Sequence, residues 1–267
     1  MRGSQPRPPR ILAMRGVSSS ETGDVMKSKL PQLSFLLVSA LASTSIYANT
    51  SSVFSPDIKR GDTSAEYRAS HVPADGSRGS EFSQRVHLQH AFNDTWRLRF
   101  INAQSKDAGE DFAFDYSRLE LQQQLLESEN AGWDTALRYE LQLGANGNAP
   151  DRFRIAATGK WDFTNGWQFR ANLLVGKEFG SNADDETLLE ARSQITAPWQ
   201  GMRVGVEAFN DFNYDSGVIA YNEQDHQIGP ILKVKAAGFS ITASYLMGAS
   251  DAADQHNFRL HVSRAIH

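Results

Sequence analysis

Residues 133–143 read Trp-Asp-Thr-Ala-Leu-Arg-Tyr-Glu-Leu-Gln-Leu. In an extended chain Trp133, Thr135, Leu137, Tyr139, Leu141 and Leu143 share one face, while Arg138, Glu140 and Gln142 share the other, because successive side chains of a strand point to opposite sides. A helical period would scatter both sets around an axis. The same alternation recurs along residues 63–266, which divide into twelve short segments whose connections are alternately long and short.

Toward the N-terminus the apolar faces are Leu119, Leu121 and Leu125 (segment 114–126), Trp96, Leu98 and Phe100, then Phe82, Val86, Leu88 and Phe92 (81–92), and Ala65, Tyr67 and Ala69 (63–71). Toward the C-terminus they are Phe153, Ile155, Ala157, Trp161 and Phe163; Trp167, Phe169, Ala171, Leu173 and Val175; Leu189, Ala191, Ile195 and Ala197 (187–197). Met202, Val204, Val206 and Ala208 follow, then Ile228, Leu232 and Val234, then Phe239, Ile241, Ala243, Tyr245 and Met247, and finally Phe258, Leu260 and Val262. Asn93-Asp94, Thr164-Asn165-Gly166, Pro198-Trp199-Gln200-Gly201 and Ala236-Ala237-Gly238 are turn sequences between them. Pro230 cannot donate to a ladder and predicts a bulge or a late strand start. Ten or fourteen strands are the alternatives to twelve, an even number being favoured.

All five tryptophans, Trp96, Trp133, Trp161, Trp167 and Trp199, lie at or near short connections. A soluble sandwich or small barrel also alternates, with its apolar face inward, but has no reason to gather indoles at one end. An interfacial aromatic belt does. Twelve strands also make a ring too wide to be closed by packed side chains alone. The expected fold class is therefore all-β: a single antiparallel transmembrane β-barrel of about 12 strands over residues 63–267, crossing lipid with its apolar face outward.

Residues 26–48 have the parts of a secretory signal peptide: Lys27 and Lys29, an apolar run from Leu33 to Leu41, then small residues, with cleavage expected after Ala48 and Ala42 as the second choice. Residues 1–25 have no periodicity and are expected to be a non-native or disordered extension, Met26 being the initiator. Residues 49–62 are expected to be a short periplasmic lead-in, too short to fill the lumen. The chain has no cysteine, which suits a disulfide-free exported protein.

The formal net charge is −4, with 27 Lys+Arg and 31 Asp+Glu. Residues 1–48 hold six of the former and two of the latter, so 21 and 29 remain beyond Ala48 and the net charge becomes −8. A negative total argues against nucleic acid, which needs a concentrated positive surface. The distribution matters more than the sum. Arg97, Arg99, Arg118, Arg138, Arg154, Arg170, Arg192, Lys233 and Arg259 all fall on polar faces, so a membrane barrel turns them into its lumen, where rings of cations favour anions. Arginine's planar fork suits carboxylates. Arg118/Glu120, Arg138/Glu140 and Glu190/Arg192 could equally form ion-pair networks that line or block the interior.

The longer connections are acidic (Asp107, Glu110, Asp111; Glu178, Asp184, Asp185, Glu186; Asp211, Asp215; Asp251, Asp254). They are read as solvated outer loops, with divalent bridging to lipopolysaccharide as the alternative. His261 and Ser263 share a face and raise the alternative of a barrel-wall lipid hydrolase. No carboxylate is evidently placed to orient that histidine, and no catalytic residue, metal site or cofactor is assigned. His87 and His90 point to opposite faces.

With these features residues 49–267 resemble Gram-negative outer-membrane β-barrels of the porin type. Arg264 interrupts the final apolar face and the chain ends Ala265-Ile266-His267 rather than in an aromatic residue. Twelve strands and a basic interior are similar to the oligogalacturonate- and sialate-type acidic-sugar porins, without a shared motif. What the resemblance implies is a non-enzymatic outer-membrane channel for passive diffusion of small anionic solutes. A closed structural barrel is the alternative. The implied partners are outer-membrane lipid and lipopolysaccharide, the solute, and the barrel-assembly machinery.

Overall fold

The computed structural model describes residues 49–267 apart from 77–78, 128–131, 146–148, 181–182, 184–186, 213, 216 and 267. The expected extension and signal peptide, residues 1–25 and 26–48, lie outside the described residues, as do Asp184, Asp185 and Glu186.

Twelve long strands form the barrel: β1 (Thr63–Val72), β2 (Glu81–Ala91), β3 (Trp96–Asp107), β4 (Ala113–Leu126), β5 (Trp133–Gly144), β6 (Asp151–Asp162), β7 (Gln168–Phe179), β8 (Thr187–Trp199), β9 (Met202–Asp211), β10 (Asp225–Ala236), β11 (Phe239–Gly248) and β12 (His256–Ala265). Each pairs antiparallel with its sequence neighbours. The ring closes where β1 pairs β12, from Ser64↔Ala265 to His71↔Phe258. Two two-residue strands, Tyr214–Asp215 and Gly217–Val218, sit in the β9–β10 loop and attach to β8 at Thr187.

The core is inside out relative to a soluble protein. Val86, Leu88, Leu143 and Leu173 on the outer face are about half exposed, whereas Arg138 and Glu140 on the inner face are 1% exposed. Several polar side chains outside bind one another. Tyr67 OH donates to Gln84 (2.9 Å), Gln84 Nε2 to Gln104 (3.1 Å) and Ser117 Oγ to Asn102 (2.7 Å), as suits polar groups on an apolar outer face. The five tryptophans all lie at the short-turn ends of their strands. Trp133 and Trp161 are direct cross-strand partners, and Trp161 packs on Phe169 with ring centroids 5.5 Å apart.

Two short connections are two-residue turns with both residues at positive φ: Gln200 (48°) and Gly201 (79°), Ala237 (50°) and Gly238 (78°). Such turns match the strand twist and require that conformation. Pro230 produces neither a bulge nor a late start. β10 begins at Asp225 and keeps one register through Pro230, which lies opposite Val206 of β9. The β10–β11 ladder runs from Gln227↔Gly248 to Ala236↔Phe239 and skips Gly229 and Pro230, between Ile228↔Met247 and Ile231↔Ser244. Gly229 is required there, since a Cβ would lie 1.7 Å from the Tyr245 carbonyl oxygen. The irregularities fall instead at Ala103/Gln104 and Gln124/Leu126.

Ala237 carries a Cβ in a left-handed conformation that Asn adopts more readily. Ala237→Asn should therefore stabilise the barrel by about 0.5 kcal/mol, and Gly238→Ala should destabilise it by about 1 kcal/mol, in urea unfolding from lipid vesicles. On the outer wall, Ile155→Arg should cost about 2–4 kcal/mol, whereas Phe163→Arg at the tryptophan level should cost about 1 kcal/mol or less. Equal costs at the two depths would contradict the membrane orientation.

Candidate functional site in the barrel lumen

Alternation in twelve strands places Arg97, Arg99, Arg118, Arg138, Arg154, Arg170, Arg192, Lys233 and Arg259 on the inner wall. Facing them are further carboxylates, among them Glu66, Asp115, Asp134 and Glu178. The excess of cations is smaller than the strand patterns alone suggest.

The charges are wired mainly across strands, with Glu66–Arg68 and Glu190–Arg192 paired along one strand. Glu120 accepts from Arg99 Nη1 (3.3 Å) and Arg138 Nη1 (3.0 Å). Glu140 accepts from Arg118 (3.4 Å) and Arg154 (2.6 Å). Arg154 reaches on to Glu190 (2.5 Å), which also binds Arg192. β7 lies between Arg154 and Glu190, and Gly176 lets the arginine pass: a Cβ there would sit 2.3 Å from Arg154 Cγ. On the opposite wall Arg259 Nη1 donates to Glu207 (2.9 Å) above the Phe209 ring, 4.6 Å from its centroid. Lys233 donates to Gln194.

Around the seam the donors outnumber the acceptors. Arg68 binds Glu66 (2.9 Å), and His87 Nδ1 lies 3.6 Å from the same carboxylate. Arg68 has Arg85 as its partner on β2 and His261 as its partner on β12. Arg85 lies over the Tyr116 ring at 5.7 Å. Buried nitrogens with no hydrogen-bond partner among the described residues include Arg68 Nε, His261 Nε2, and Arg259 Nε and Nη2.

The expectation for residues 49–62 fails. Residues 49–58 lie within the lumen, and residues 59–62 sit at its short-turn rim. Fourteen residues reach up to ~46 Å when extended, more than the ~25 Å apolar band of such a barrel, so a thread needs only length. Gly61 (φ 81°) turns the chain at the short-turn rim, where Gly61 N donates to Ala91 O (2.7 Å) and Arg60 N to Asp94 (3.1 Å). Farther in, Ile58 N donates to Gln124 (2.8 Å), and Gln122 Nε2 donates to the carbonyls of Ser55 and Pro56 (3.0 Å each). Phe54 N donates to Asn172 (2.7 Å), and its ring lies 3.5 Å beneath the Arg138 guanidinium and 5.1 Å from that of Arg192. Arg192 also donates to Ser52 O and Arg68 to Thr50 O (3.4 Å each). Asn49 reaches Gln227, near the long-loop end of β10.

Near the rim Lys160 binds Asp57, Asp134 (2.7 Å) and Asp162 (3.3 Å). Burial pushes the Asp57 carboxyl upward in pKa. Hydrogen bonds from Lys160 and Ser55, with the Lys160 and Arg170 charges, outweigh that and hold it below the ordinary carboxylate value. Asp57 is thus ionised at neutral and mildly acidic pH.

The sequence carried one sign of this thread. Ala156, Leu174, Phe209 and Leu246 occupy polar-face positions. Phe54 clusters with Ala156 and Leu174, and Val53 with Phe209 and Leu246. An apolar residue out of phase with its strand marks something apolar inside the barrel.

His261 and Ser263 face the lumen of β12, and no hydrogen bond joins them among the described residues. His90 is outside, bonded to Thr63 (2.7 Å), while His87 is inside. Of the acids expected in loops, Glu178 lies in β7 and pairs with Arg152 (2.5 Å), while Asp107 and Asp211 are the last residues of β3 and β9. No three His, Asp or Glu side chains among the described residues gather as a metal site requires.

No protein-family model matches the chain and no curated protein matches it. Solved structures do match. The KdgM porin is 14% identical, with 76% of this chain and 99% of that chain covered and a TM-score of 0.50, and it is also solved in complex with disordered oligogalacturonate. The NanC porin is 11% identical, with 77% and 100% covered and a TM-score of 0.53. An outer-membrane channel from Pseudomonas putida F1 is 10% identical, with 78% and 97% covered and a TM-score of 0.54. At these identities the likeness is one of fold: the chain has the closed twelve-stranded barrel of outer-membrane porins.

Glu140→Gln would leave Arg118 and Arg154 buried without their shared carboxylate. It should destabilise the barrel by about 3 kcal/mol in urea unfolding, as expected when one partner of a buried pair is removed. No measurable change would show that water solvates this network freely.

Proposed function

We propose that the chain, exported through a signal peptide cleaved after residue 48, is a Gram-negative outer-membrane channel for passive diffusion of small anionic solutes. Its partners in this reading are lipid and lipopolysaccharide around the barrel, and the assembly machinery that inserts it. The tryptophans form the interfacial belt on the periplasmic side, and the acidic long loops face outward.

The observation that carries the reading is the surplus of buried N–H donors around β12, β1 and β2. The guanidinium of Arg259 retains two unpartnered nitrogens and Arg68 one. A wall of positive charge with unfilled forks attracts carboxylate or phosphate and orients it bidentately. The fold shared with KdgM supports the same class of solute, since the oligogalacturonate in that protein's complex is a polyanion.

A second reading, a closed structural barrel, draws on the saturated Arg–Glu ladder and on the thread in the lumen. Planar-bilayer recording across a salt gradient separates the two. The channel reading expects an anion-selective reversal potential. Arg68→Gln with Arg259→Gln should reduce that selectivity severalfold, and Glu207→Gln should increase it. A cation-selective current, or no current from any form of the barrel, overturns the channel.

A further inference from the structure

Residues 49–58 make contacts that suit a removable occupant better than a piece of the wall. None of them belongs to a strand of the sheet. The wall holds them through side-chain bonds, two each from Asn172 and Gln122 and one each from Gln124 and Arg192, so withdrawal breaks no ladder. Their apolar side chains have matched seats: Val53 on Phe209 and Leu246, Phe54 on Ala156 and Leu174. Pro56 biases Ser55 toward an extended backbone, which suits a chain laid along a narrow lumen. The thread spans most of the barrel, from Lys160 near the short-turn ends to Gln227 near the long-loop ends.

The thread also covers cations on which an anionic solute would depend. Arg138 and Arg192 lie over the Phe54 ring, and a guanidinium stacked on an aromatic face is favourably placed. Lys160 is engaged by Asp57. Wall and thread are therefore complementary in charge, in hydrogen bonding and in apolar seating.

We propose that residues 49–58 are a resident plug that closes the lumen at rest, latched by Asp57 on Lys160, and that conduction requires the plug to withdraw about the rim turn at Lys59–Asp62. The proposal rests on the channel reading above. A solute anion competes with the plug for the same cations, so the plug gates the path and sets what can open it.

The chain's lack of cysteine allows a direct test. Val53→Cys, introduced into the full exported chain in lipid vesicles, should react with a bulky water-soluble maleimide far more slowly than Asp107→Cys at the exposed long-loop end of β3. Adding Asp57→Ala should speed the Val53→Cys reaction about fivefold, the factor a partly exposed ion pair of this kind carries. In planar bilayers, deletion of residues 49–58 should raise the mean conductance severalfold over the full chain, with a heat-modifiable gel shift verifying that the barrel still forms.

Equal conductance with and without the segment overturns the plug and leaves the channel reading intact. Absence of current from both forms overturns the channel reading and the plug with it. If the deletion fails to fold, Val53→Cys reacting as fast as Asp107→Cys overturns the plug by itself.

Discussion

Hydrocarbon offers no hydrogen bonds, so each backbone amide and carbonyl of a spanning segment must find its partner within the chain. Strands satisfy this only as a closed ring, and the β1–β12 register from Ser64↔Ala265 to His71↔Phe258 closes it. Everything else follows from closure. Once no edge remains, alternation divides every strand into a lipid face and a lumen face, and the register aligns those faces around the ring. The arginines and glutamates are inside because the leucines and phenylalanines must be outside.

An interior of this kind has its own bookkeeping. Removing a guanidinium from water is costly unless a partner replaces the hydration. The wall meets that demand by sharing carboxylates: Glu120 between Arg99 and Arg138, Glu140 between Arg118 and Arg154, Glu190 between Arg154 and Arg192. Arginine presents five N–H donors, more than shared carboxylates can saturate. A wall built this way is rigid and still has donors to offer. The thread at residues 49–58 uses some of them, through the carbonyls of Thr50 and Ser52.

The architecture was legible because it is written in a period of two over twelve segments. Trp133 to Leu143 alone show it, and even the less regular segments 114–126 and 187–197 became full strands, β4 and β8. The facing of each arginine followed from the same parity. Partner choice did not. Of the sequence neighbours that suggested local pairs, Glu190 and Arg192 do meet and Arg118 lies 3.8 Å from Glu120, but the shorter bonds of Arg118 and Arg138 run to other strands, and Arg154 reaches across β7 at Gly176, because register sets which side-chain tips meet. Pro230 was misjudged because proline's missing donor matters only where the neighbouring strand needs it. The fate of residues 49–62 was hidden for a different reason: a segment with no period of its own reveals its place only through what it touches.

The turn at Gly61 ties that segment covalently to β1, four residues from Asp57. A tethered occupant is never diluted. Its effective concentration at its seats is set by the length of the tether, on the order of millimolar for short flexible links, and not by how much protein the membrane holds. Any free molecule competing for Arg138, Arg192 and Lys160 must contend with that local concentration, so weak binders at low abundance are excluded without being sterically barred. Selectivity in a channel of the kind proposed becomes a concentration threshold as well as a matter of size and charge.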